Sequence, residues 1–343
     1  MKLLICTQVI DKNHPILGFF HGWVLEFALH FTEVHIICLQ KGEYSLPKNV
    51  YVYSLGKEAG ENRLKYLWRF YRYFSHIFFK VKVDFVFYHM GAIYNVLGAP
   101  FFMLRKVFKT KFYWWKTHGT ITFLTRLSLL CCDRVYTASR TSFPLQTKKK
   151  YAIGHAIAKT PIFEKNKQQL PSLLFVGRVT PVKKIEIVLE IVQLLNQHNI
   201  HIPLRIVGAL PDSSYLQKLE AKIKNLNIQT QVTIVGPKRH DELVQEFIDA
   251  TVLINPSETG GIDKVVLEAM QFGVPPIALE KTYGEILSRF GLSVEKQDPV
   301  SYVEIIEKLL LDVEWRYSLS QELRNEVLSN HALVTLSHRI FNI

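Results

Sequence analysis

A turn with two adjacent glycines runs into an apolar helix in the stretch SETGGIDKVVLEAM, residues 257–270. Gly260 and Gly261 would let backbone N–H groups approach an anion closely, and Asp263 is a suitable N-cap for the helix that follows. Glu268 lies one turn into that helix among apolar residues, where an unpaired carboxylate is costly. We interpret the turn as a phosphate cradle and Glu268 as the acceptor for two vicinal hydroxyl groups, such as those of a ribose. The alternative is an ordinary capped turn with a salt-bridged glutamate.

A second anion site is indicated by LLFVGRVTPVKKIEIVLEIV, residues 173–192. A buried strand ends at Gly177, Arg178 follows directly, and Lys183 and Lys184 stand where a helix begins. Cations are disfavoured at the positive end of a helix dipole, whereas phosphate is favoured there. A bound polyanion would therefore offset the cost of placing these lysines there. A solvated basic turn is the alternative.

Three further loops follow strand-like runs and are less specific. VTIVGPKRHDEL, residues 232–243, ends a strand at Gly236, where backbone groups can meet the edge of a base, although a plain turn fits equally well. YWWKTHGTITF, residues 113–123, brings His118 to the carboxyl end of a strand. A lone histidine is more often structural, but parallel sheets bind ligands at that end. HPILGFFHGW follows the first strand, and its Gly18 opens a helix.

The elements that must position these loops alternate between strands and helices along the whole chain. Strands are predicted near residues 2–7, 34–39, 50–55, 84–88, 111–117, 133–137, 172–176, 202–207, 230–235, 251–255 and 275–279. Helices in the second half are predicted to begin near Lys183, Ser213, His240, Lys264 and Tyr283. Such alternation is typical of parallel sheets covered by helices.

Two such sheets are separated by AIAKTPIFEKNKQQLP, residues 156–171. The predicted fold is therefore α/β, with two Rossmann-like domains whose parallel sheets face each other across a cleft. We expect an N-terminal domain at residues 1–160 and a C-terminal domain at residues 161–325. A C-terminal helix at residues 326–343 is expected to pack back on the N-terminal domain.

The net charge of +12 is unevenly distributed. Residues 1–160 contain 23 Lys and Arg against 8 Asp and Glu, a balance of +15, whereas residues 161–343 contain 19 against 22, a balance of −3. A basic half indicates an anionic partner, which could be lipid, nucleic acid or an acidic small substrate. No apolar run is long enough to span a bilayer. The four cysteines have no metal-ligand spacing, which favours free thiols in a reducing cytosol.

ENRLKYLWRFYRYFSHIFFKVK, residues 61–82, predicts an amphipathic helix with a basic stripe and a nearly opposite apolar stripe. The basic stripe consists of Lys65, Arg69, Arg72 and His76, and the apolar stripe of Leu64, Leu67, Tyr71, Phe74 and Phe78. Such a helix could lie on an anionic bilayer, or it could pack on its own sheet and leave a solvated basic face. The basic balance of the first half favours the membrane.

Together the loops of the second half resemble those of the retaining glycosyltransferases of family 4, which have the GT-B architecture. GRVTPVKK resembles that family's Gly-Arg…Pro-x-Lys donor loop, and NPSETGGIDKVVLEAMQFGVPPIA resembles its donor-binding helix and the next strand. The strand-and-glycine runs LRIVG, which ends at Gly208, and VTIVG fit between them. The resemblance is strong over roughly residues 170–290 and weaker over the rest of the chain.

The resemblance implies a nucleotide-sugar donor, linked to UDP or GDP, that binds mainly to the C-terminal domain. Arg178 and Lys183 would neutralise the diphosphate and stabilise its departure, so that neither a metal ion nor another cofactor is needed. Glu268 would hold the ribose, and His118 would approach the transferred sugar from the opposite domain. The remaining predicted donor contacts are Gly18, Gly177, Gly208, Gly236, Lys238, Glu258, Thr259, Gly260, Gly261, Ile262 and Lys264.

The glycine turn departs from the family's usual pattern. The family has two glutamates separated by seven residues, and counting back from Glu268 places Gly260 at the first position. A bacterial subset of the family shares this Thr-Gly-x-x-Asp-Lys pattern. Asp263 is therefore our candidate for the group that grips the donor sugar, and Glu258 is the alternative.

The resemblance implies a cytoplasmic glycosyltransferase, peripheral on the inner face of a membrane, that acts on a glycan or lipid-linked acceptor in cell-surface polysaccharide or glycolipid synthesis. Two alternatives are a nucleotide-sugar epimerase of the same fold and a non-catalytic, membrane-associated partner that has lost its grip on the sugar. A phosphorylase would need a pyridoxal cofactor, for which the sequence gives no support. Nucleic-acid binding is the weakest interpretation, because aromatic and basic residues cluster in one helix and no recognised module is present.

Overall fold

The structure, a computed structural model, describes residues 1–14, 16–117, 119–158, 160, 170–210, 213–258 and 263–343, apart from the side chains of Ser213, His240 and Asp241. The chain forms two compact units. Unit 1 consists of residues 1–158 and 331–343, and unit 2 of residues 159–330. Each unit contains one parallel β-sheet covered by helices, so the prediction of two Rossmann-like α/β domains is confirmed.

Unit 1 has a seven-stranded sheet in the order β3-β2-β1-β4-β5-β6-β7. Its elements are β1 (Lys2–Ile10), α1 (Phe19–His30), β2 (Glu33–Lys41), β3 (Val50–Ser54), α2 (Arg63–His76), β4 (Phe85–His89), α3 (Ala92–Leu97), α4 (Ala99–Phe108), β5 (Lys111–Trp115), α5 (Phe123–Leu130), β6 (Arg134–Thr137) and β7 (Lys150–Ala152). Both faces of this sheet are buried, as a parallel sheet requires. One face packs on α1, and the other on α2 and α4.

The predicted amphipathic helix is α2 followed by a π-helical turn, Ile77–Val81. Its predicted apolar stripe is divided, because Phe74 is fully buried whereas Leu64 is 78% exposed. Arg69 does not lie on a solvated basic stripe. Its guanidinium donates to Leu55 O at 3.0 Å and to Glu61 Oε1 at 2.9 Å. The predicted apolar stripe is therefore covered only in its second half, and Leu64 at its start stays exposed.

Unit 2 has a six-stranded sheet in the order β10-β9-β8-β11-β12-β13. Its elements are β8 (Leu173–Val176), α6 (Ile185–Gln197), β9 (Leu204–Val207), α7 (Ser213–Asn225), β10 (Val232–Gly236), α8 (His240–Asp249), β11 (Val252–Asn255), α9 (Lys264–Gln271), β12 (Pro276–Leu279), α10 (Glu280–Leu287), β13 (Ser293–Val294), α11 (Pro299–Leu311) and α12 (Val313–Asn330). A 3₁₀ turn, Pro181–Lys183, precedes α6.

The chain returns to unit 1 through a segment that lies beside the one by which it leaves. Ile157 N donates to His331 O and Leu333 N donates to Ile157 O, both at 2.8 Å, and Ile157 and Ala332 form a parallel bridge. The last helix, α13 (Leu336–Phe341), then packs on α1 in the core of unit 1.

All the predicted strands are present, with bounds that differ by a few residues. The prediction missed β7 and β13, which are short strands at the sheet edges. It also placed the start of α10 near Tyr283, whereas the helix begins at Glu280. Among the described residues, no helix is long and apolar enough to cross a bilayer.

The strand order reverses once in each sheet, between β1 and β4 in unit 1 and between β8 and β11 in unit 2. In open parallel sheets, ligands bind beyond the carboxyl ends of the strands at this switch point. The loops after β8 and β11 contain Arg178, Lys183, Glu258 and Asp263 among the predicted site residues.

Candidate functional site

Three glycines follow or end neighbouring strands of the unit 2 sheet. Gly177 N donates to Val207 O and Gly208 N donates to Gly236 O, both at 2.9 Å. A Cβ atom on Gly208 would lie 1.8 Å from Gly177 O, and Gly236 has a φ of +87°, which side chains disfavour. The ends of β8, β9 and β10 therefore form a surface of backbone groups that a ligand can approach closely.

The loop after β8 contains the two predicted cations. Arg178 is exposed, and the described part of the chain gives its guanidinium no polar partner. Lys183 ends the 3₁₀ turn and is only 7% exposed. Lys184, which is exposed and has a φ of +54°, occupies the N-cap position of α6. A buried ammonium is costly unless an anion partners it.

Asp263 supplies that anion. Lys183 Nζ donates to Asp263 Oδ2 at 2.5 Å. Ser257 Oγ and Asn255 Nδ2 donate to the same oxygen at 2.9 and 3.2 Å. The backbone N–H of Asp263 donates to the hydroxyl of Tyr283 at 3.0 Å. The carboxylate is thus the centre of a hydrogen-bond network that connects the loop after β8 with the loop after β11.

The predicted N-cap role of Asp263 is wrong for its side chain. Asp263 occupies the N-cap position of α9, but its carboxylate makes no capping hydrogen bond. The reason is that Lys183, a charged donor, competes for the same carboxylate and is buried beside it. A charge-assisted hydrogen bond is stronger than a neutral one to a backbone N–H.

Three buried residues of this network, Asn255, Ser257 and Tyr283, were missed by the sequence analysis. Asn255 Oδ1 accepts a hydrogen bond from Ser257 N at 3.1 Å and lies 2.5 Å from Ser257 Oγ, whose single proton can be donated either to Asn255 or to Asp263. Burial, and then the nearby carboxylate of Asp263, raises the pKa of Tyr283 well above its usual value, so the phenol stays protonated. The signal available in the sequence was the change from the apolar run VLI to Asn and Ser where β11 ends.

Glu268 and Lys264 lie one turn apart on α9, and both are partly buried. Burial lowers the pKa of Lys264 to about 8, and the carboxylate of Glu268 opposes that shift. The structure thus provides Glu268 with a cationic neighbour on its own helix. Contact of Glu268 with a ribose remains a prediction, and so does contact of Lys264 with the donor.

Lys238 follows β10 and has a partner within the protein. Its ammonium donates to Glu246 at 2.5 Å, and Arg205 donates to both oxygens of the same carboxylate at 2.6 and 2.7 Å. Glu246 is 4% exposed, and Arg205, followed by Lys238, holds its pKa below the usual value. This arrangement fastens α8 to β9, and contact of Lys238 with a nucleotide stays a prediction.

The remaining predicted site residues are either exposed, located in unit 1, or outside the residues that the structure describes. Glu258 is exposed just before the glycine turn. His118, Thr259, Gly260, Gly261 and Ile262 lie outside the described residues. In unit 1, Gly18 begins the turn into α1, where a Cβ atom would lie 2.7 Å from His14 O.

A buried histidine that the sequence analysis did not select, His89, lies at the switch point of unit 1. It ends β4, and its Nδ1 is 3.1 Å from Thr7 Oγ1. Its ring stacks on Phe20 at 3.8 Å. These contacts account for a structural role, and we assign it no other.

In the described part of the chain, no three His, Cys, Asp or Glu residues are grouped so that they could hold a metal ion. The chemistry that the described donors of unit 2 support is anion binding. Lys183 and Arg178 provide positive charge beside the glycine backbone at the switch point.

Residues 158–326 match the sequence model of the family described as glycosyl transferases group 1. The chain is 29% identical to the D-inositol 3-phosphate glycosyltransferase of Frankia alni over 160 residues, 43% of this chain and 39% of that protein. It is 30% identical to D-inositol 3-phosphate glycosyltransferase 1 of Catenulispora acidiphila over 152 residues, 41% of this chain and 36% of that protein. The matched part thus spans well under half the length of these relatives.

Two solved structures resemble the chain over nearly its full length. HepE of Anabaena in complex with UDP has a TM-score of 0.73 and 14% identity, covering 98% of this chain and 97% of that one. The sucrose-phosphate synthase of Thermosynechococcus elongatus has a TM-score of 0.69 and 17% identity, covering 97% and 96%. At these identities the likeness shows the fold alone, which is that of the GT-B glycosyltransferases.

Proposed function

With residues 158–326 matching the glycosyl transferases group 1 family, we propose that this protein is a retaining glycosyltransferase that moves a sugar from a UDP- or GDP-linked donor to a glycan or lipid-linked acceptor. The observation that carries the proposal is the ion pair of Lys183 with Asp263, which connects the loops after β8 and β11. Nucleotides bind at this point of such sheets. A protein of the same fold, HepE, was solved with UDP.

Arg178 and Lys183 are proposed to bind the diphosphate of the donor. When the bond from the sugar to the diphosphate breaks, negative charge develops on the departing oxygen, and nearby cations stabilise it. Because Asp263 already holds Lys183 in one geometry, little freedom is lost when the ammonium contacts a phosphate. The backbone surface at Gly177 and Gly208 lets the nucleotide approach the sheet closely.

The hydrogen-bond network changes the role that we propose for Asp263. One of its carboxylate oxygens accepts from Lys183, Ser257 and Asn255, so Asp263 is a positioning residue for the lysine. Glu258 is exposed and precedes the glycine turn, and it becomes the candidate that contacts the sugar hydroxyls. Glu268 keeps its proposed role toward the ribose.

The finer parts of the proposal rest on the resemblance of the two loop motifs to family 4. They are the retained anomeric configuration, metal independence, and action in cell-surface polysaccharide or glycolipid synthesis on the cytoplasmic side of a membrane. The two relatives described above are named D-inositol 3-phosphate glycosyltransferases, which supports glycosyl transfer but does not fix the acceptor of this chain.

The proposal is tested first by thermal unfolding with UDP, GDP, ADP and their sugar conjugates. A ligand present at a hundred times its dissociation constant stabilises the folded state by about 2.7 kcal/mol, which is easily measured. We expect one nucleoside diphosphate to raise the melting temperature more than the others. If none does, the donor site is wrongly assigned.

The stabilising sugar nucleotide is then incubated with candidate acceptors, and the products are analysed by mass spectrometry and by NMR of the anomeric proton. A new glycoside with the anomeric configuration of the donor supports the proposal. Conversion of the sugar nucleotide to an isomer without an acceptor would identify an epimerase. Binding without any conversion over the whole acceptor panel would identify a non-catalytic partner.

A further inference from the structure

Helices α2 and α4 lie side by side on one face of the unit 1 sheet. The rings of Phe74 and Phe101 stack at 4.2 Å, and those of Phe78 and Phe108 are 4.8 Å apart. The inward-facing side chains of both helices belong to the same buried cluster on the sheet. The outward faces of α2 and α4 therefore form one continuous side of unit 1, which we call the α2/α4 face.

Large apolar side chains on this face are exposed. Leu64 and Trp68 on α2 are 78% and 60% exposed, and Met103 and Val107 on α4 are 79% and 77% exposed. Scattered exposed apolar residues are normal, but clusters on neighbouring elements mark interaction surfaces. On α2 they form a shallow apolar groove, which is lined by Leu64, Leu67, Trp68, Tyr71, Arg72 and Ser75.

The two sequence segments that contain α2 and α4 have many cations and no acid. Residues 62–83 include six Lys and Arg and residues 99–111 include four, and neither range has an Asp or a Glu. Three of these cations pair with acids that lie just outside the two ranges or elsewhere in unit 1: Lys65 and Arg69 with Glu61, and Arg105 with Asp133. The exposed members are Arg63, Lys65, Arg72, Lys80, Lys82, Lys106, Lys109 and Lys111.

We propose that the α2/α4 face docks on the surface of an anionic lipid bilayer. A bilayer surface offers both things that this face lacks: negative charge for its cations and an apolar layer for its aliphatic side chains. Arg72 lies over the ring of Trp68 at 5.1 Å, which places a cation and an amphipathic ring together at the depth of the headgroups. This inference does not depend on the donor site or on sugar transfer.

A nucleic acid would satisfy the cations but would leave Leu64, Met103 and Val107 in water, because aliphatic side chains gain little from phosphate or from base edges. The observations therefore favour lipid, and single-stranded RNA serves as the competing ligand in the test.

The first experiment measures co-sedimentation of the full chain with vesicles of phosphatidylcholine alone and with equal parts of phosphatidylglycerol. The surface variant is Lys65→Gln, Arg72→Gln and Lys106→Gln. Its control, Lys218→Gln, Lys224→Gln and Lys296→Gln, removes three exposed lysines of unit 2. We expect the surface variant to lose affinity for the anionic vesicles by about fivefold per charge, on the order of a hundredfold in all.

The second experiment tests the apolar part with Met103→Ser and Val107→Ser. Its control is Val300→Ser and Leu311→Ser, which replaces side chains that are 54% and 85% exposed in unit 2. All four positions are exposed, and a melting curve for each variant verifies that it folds. We expect the first pair to bind anionic vesicles at least about tenfold more weakly than wild type, and this loss to persist at high salt, which screens charge but not apolar contact.

Loss of binding in both surface variants, with both controls like wild type, supports the proposal. Wild-type protein that ignores phosphatidylglycerol vesicles at low salt overturns it. Apolar variants that bind as well as wild type also overturn it, because docking would then be electrostatic only. Tight binding of single-stranded RNA that displaces the protein from vesicles would assign the face to nucleic acid instead.

Discussion

The two units have the same kind of parallel sheet but treat their cations differently. In unit 2, Lys183 is held by Asp263, and Arg205 and Lys238 are held by Glu246, in each case across different elements of the fold. In unit 1, Glu61 and Asp133 pair with three of the ten cations in segments 62–83 and 99–111, and the other seven are exposed.

This difference shows what kind of anion each unit suits. A lysine fixed by a carboxylate presents its charge at one place, which fits a small ligand with few phosphates at set distances. Exposed lysines and arginines on long side chains present a diffuse positive field, which fits a broad anionic surface. The balance of +15 in residues 1–160 against −3 in residues 161–343 agrees with this contrast.

The largest effect is expected where unit 2 buries an acid between two cations. Glu246→Ala removes the carboxylate that Arg205 and Lys238 share and leaves both cations without it. We expect a loss of about 2–3 kcal/mol in the free energy of unfolding, measured in urea, the size typical of hydrogen bonds to a charged group. Lys106→Gln on the α2/α4 face is the matched control, and it should change stability by less than about 0.5 kcal/mol. Equal effects of the two substitutions would remove the distinction between the units.

Removing the proposed diphosphate cations tests the donor site directly. Lys183→Ala and Arg178→Ala should each weaken binding of the stabilising nucleoside diphosphate by about 1.5–3 kcal/mol, the range for a charged hydrogen bond. Lys218→Ala on α7 is the control, because it removes an exposed lysine of unit 2 outside these loops. Calorimetry that finds the same affinity in all three variants as in wild type would contradict the assignment.

The Asp263→Asn variant shows whether Asp263 positions Lys183 or binds the hydroxyl groups of the sugar. If Asp263 balances the buried Lys183, the variant should lose about 1–2 kcal/mol of stability. Adding the nucleoside diphosphate should then raise the melting temperature of the variant by more degrees than it raises that of the wild type. The reason is that a phosphate replaces the carboxylate as the partner of Lys183. If Asp263 instead grips the sugar, turnover should fall while the melting temperature and diphosphate affinity stay the same.

The last prediction concerns Lys264, whose pKa burial lowers from 10.5 to about 8. Between pH 8 and pH 10.5, this lysine binds fewer protons in the folded state than in the unfolded state. Its cost to stability is therefore full below about pH 8 and decreases as the pH rises toward 10.5. Lys264→Met should be more stable than wild type at pH 7, with a difference that narrows above pH 8 in urea unfolding. A stability difference between the variant and wild type that does not vary with pH would show that burial does not lower the pKa of Lys264.

The fold was largely predictable because its signals are local. Gly177, Gly208 and Gly236 each end or follow an apolar run, so strand ends and the loops that follow them could be identified from the sequence. Lys183 could be selected for the same reason, by its place where a helix begins. The short edge strands β7 and β13 were missed because a strand of two or three residues has too few alternations to give a pattern.

The centre of the site was not predictable in the same way. Asp263 looked like a helix cap because the local sequence offers it that role, and its actual partner lies 80 residues away in the chain. Tyr283 enters the network from a third element. On α2, periodicity grouped Leu64 with Phe74, but only the position of the sheet decides which of them is covered.

The bridge between Ile157 and Ala332 has a consequence for synthesis on the ribosome. Domains usually fold in the order in which they emerge. Here the core of unit 1 includes Leu336, Ile340 and Phe341, which are translated only after all of unit 2. Unit 2 is therefore complete before unit 1 can close its core. Until then the surface of α1 that receives these residues remains uncovered.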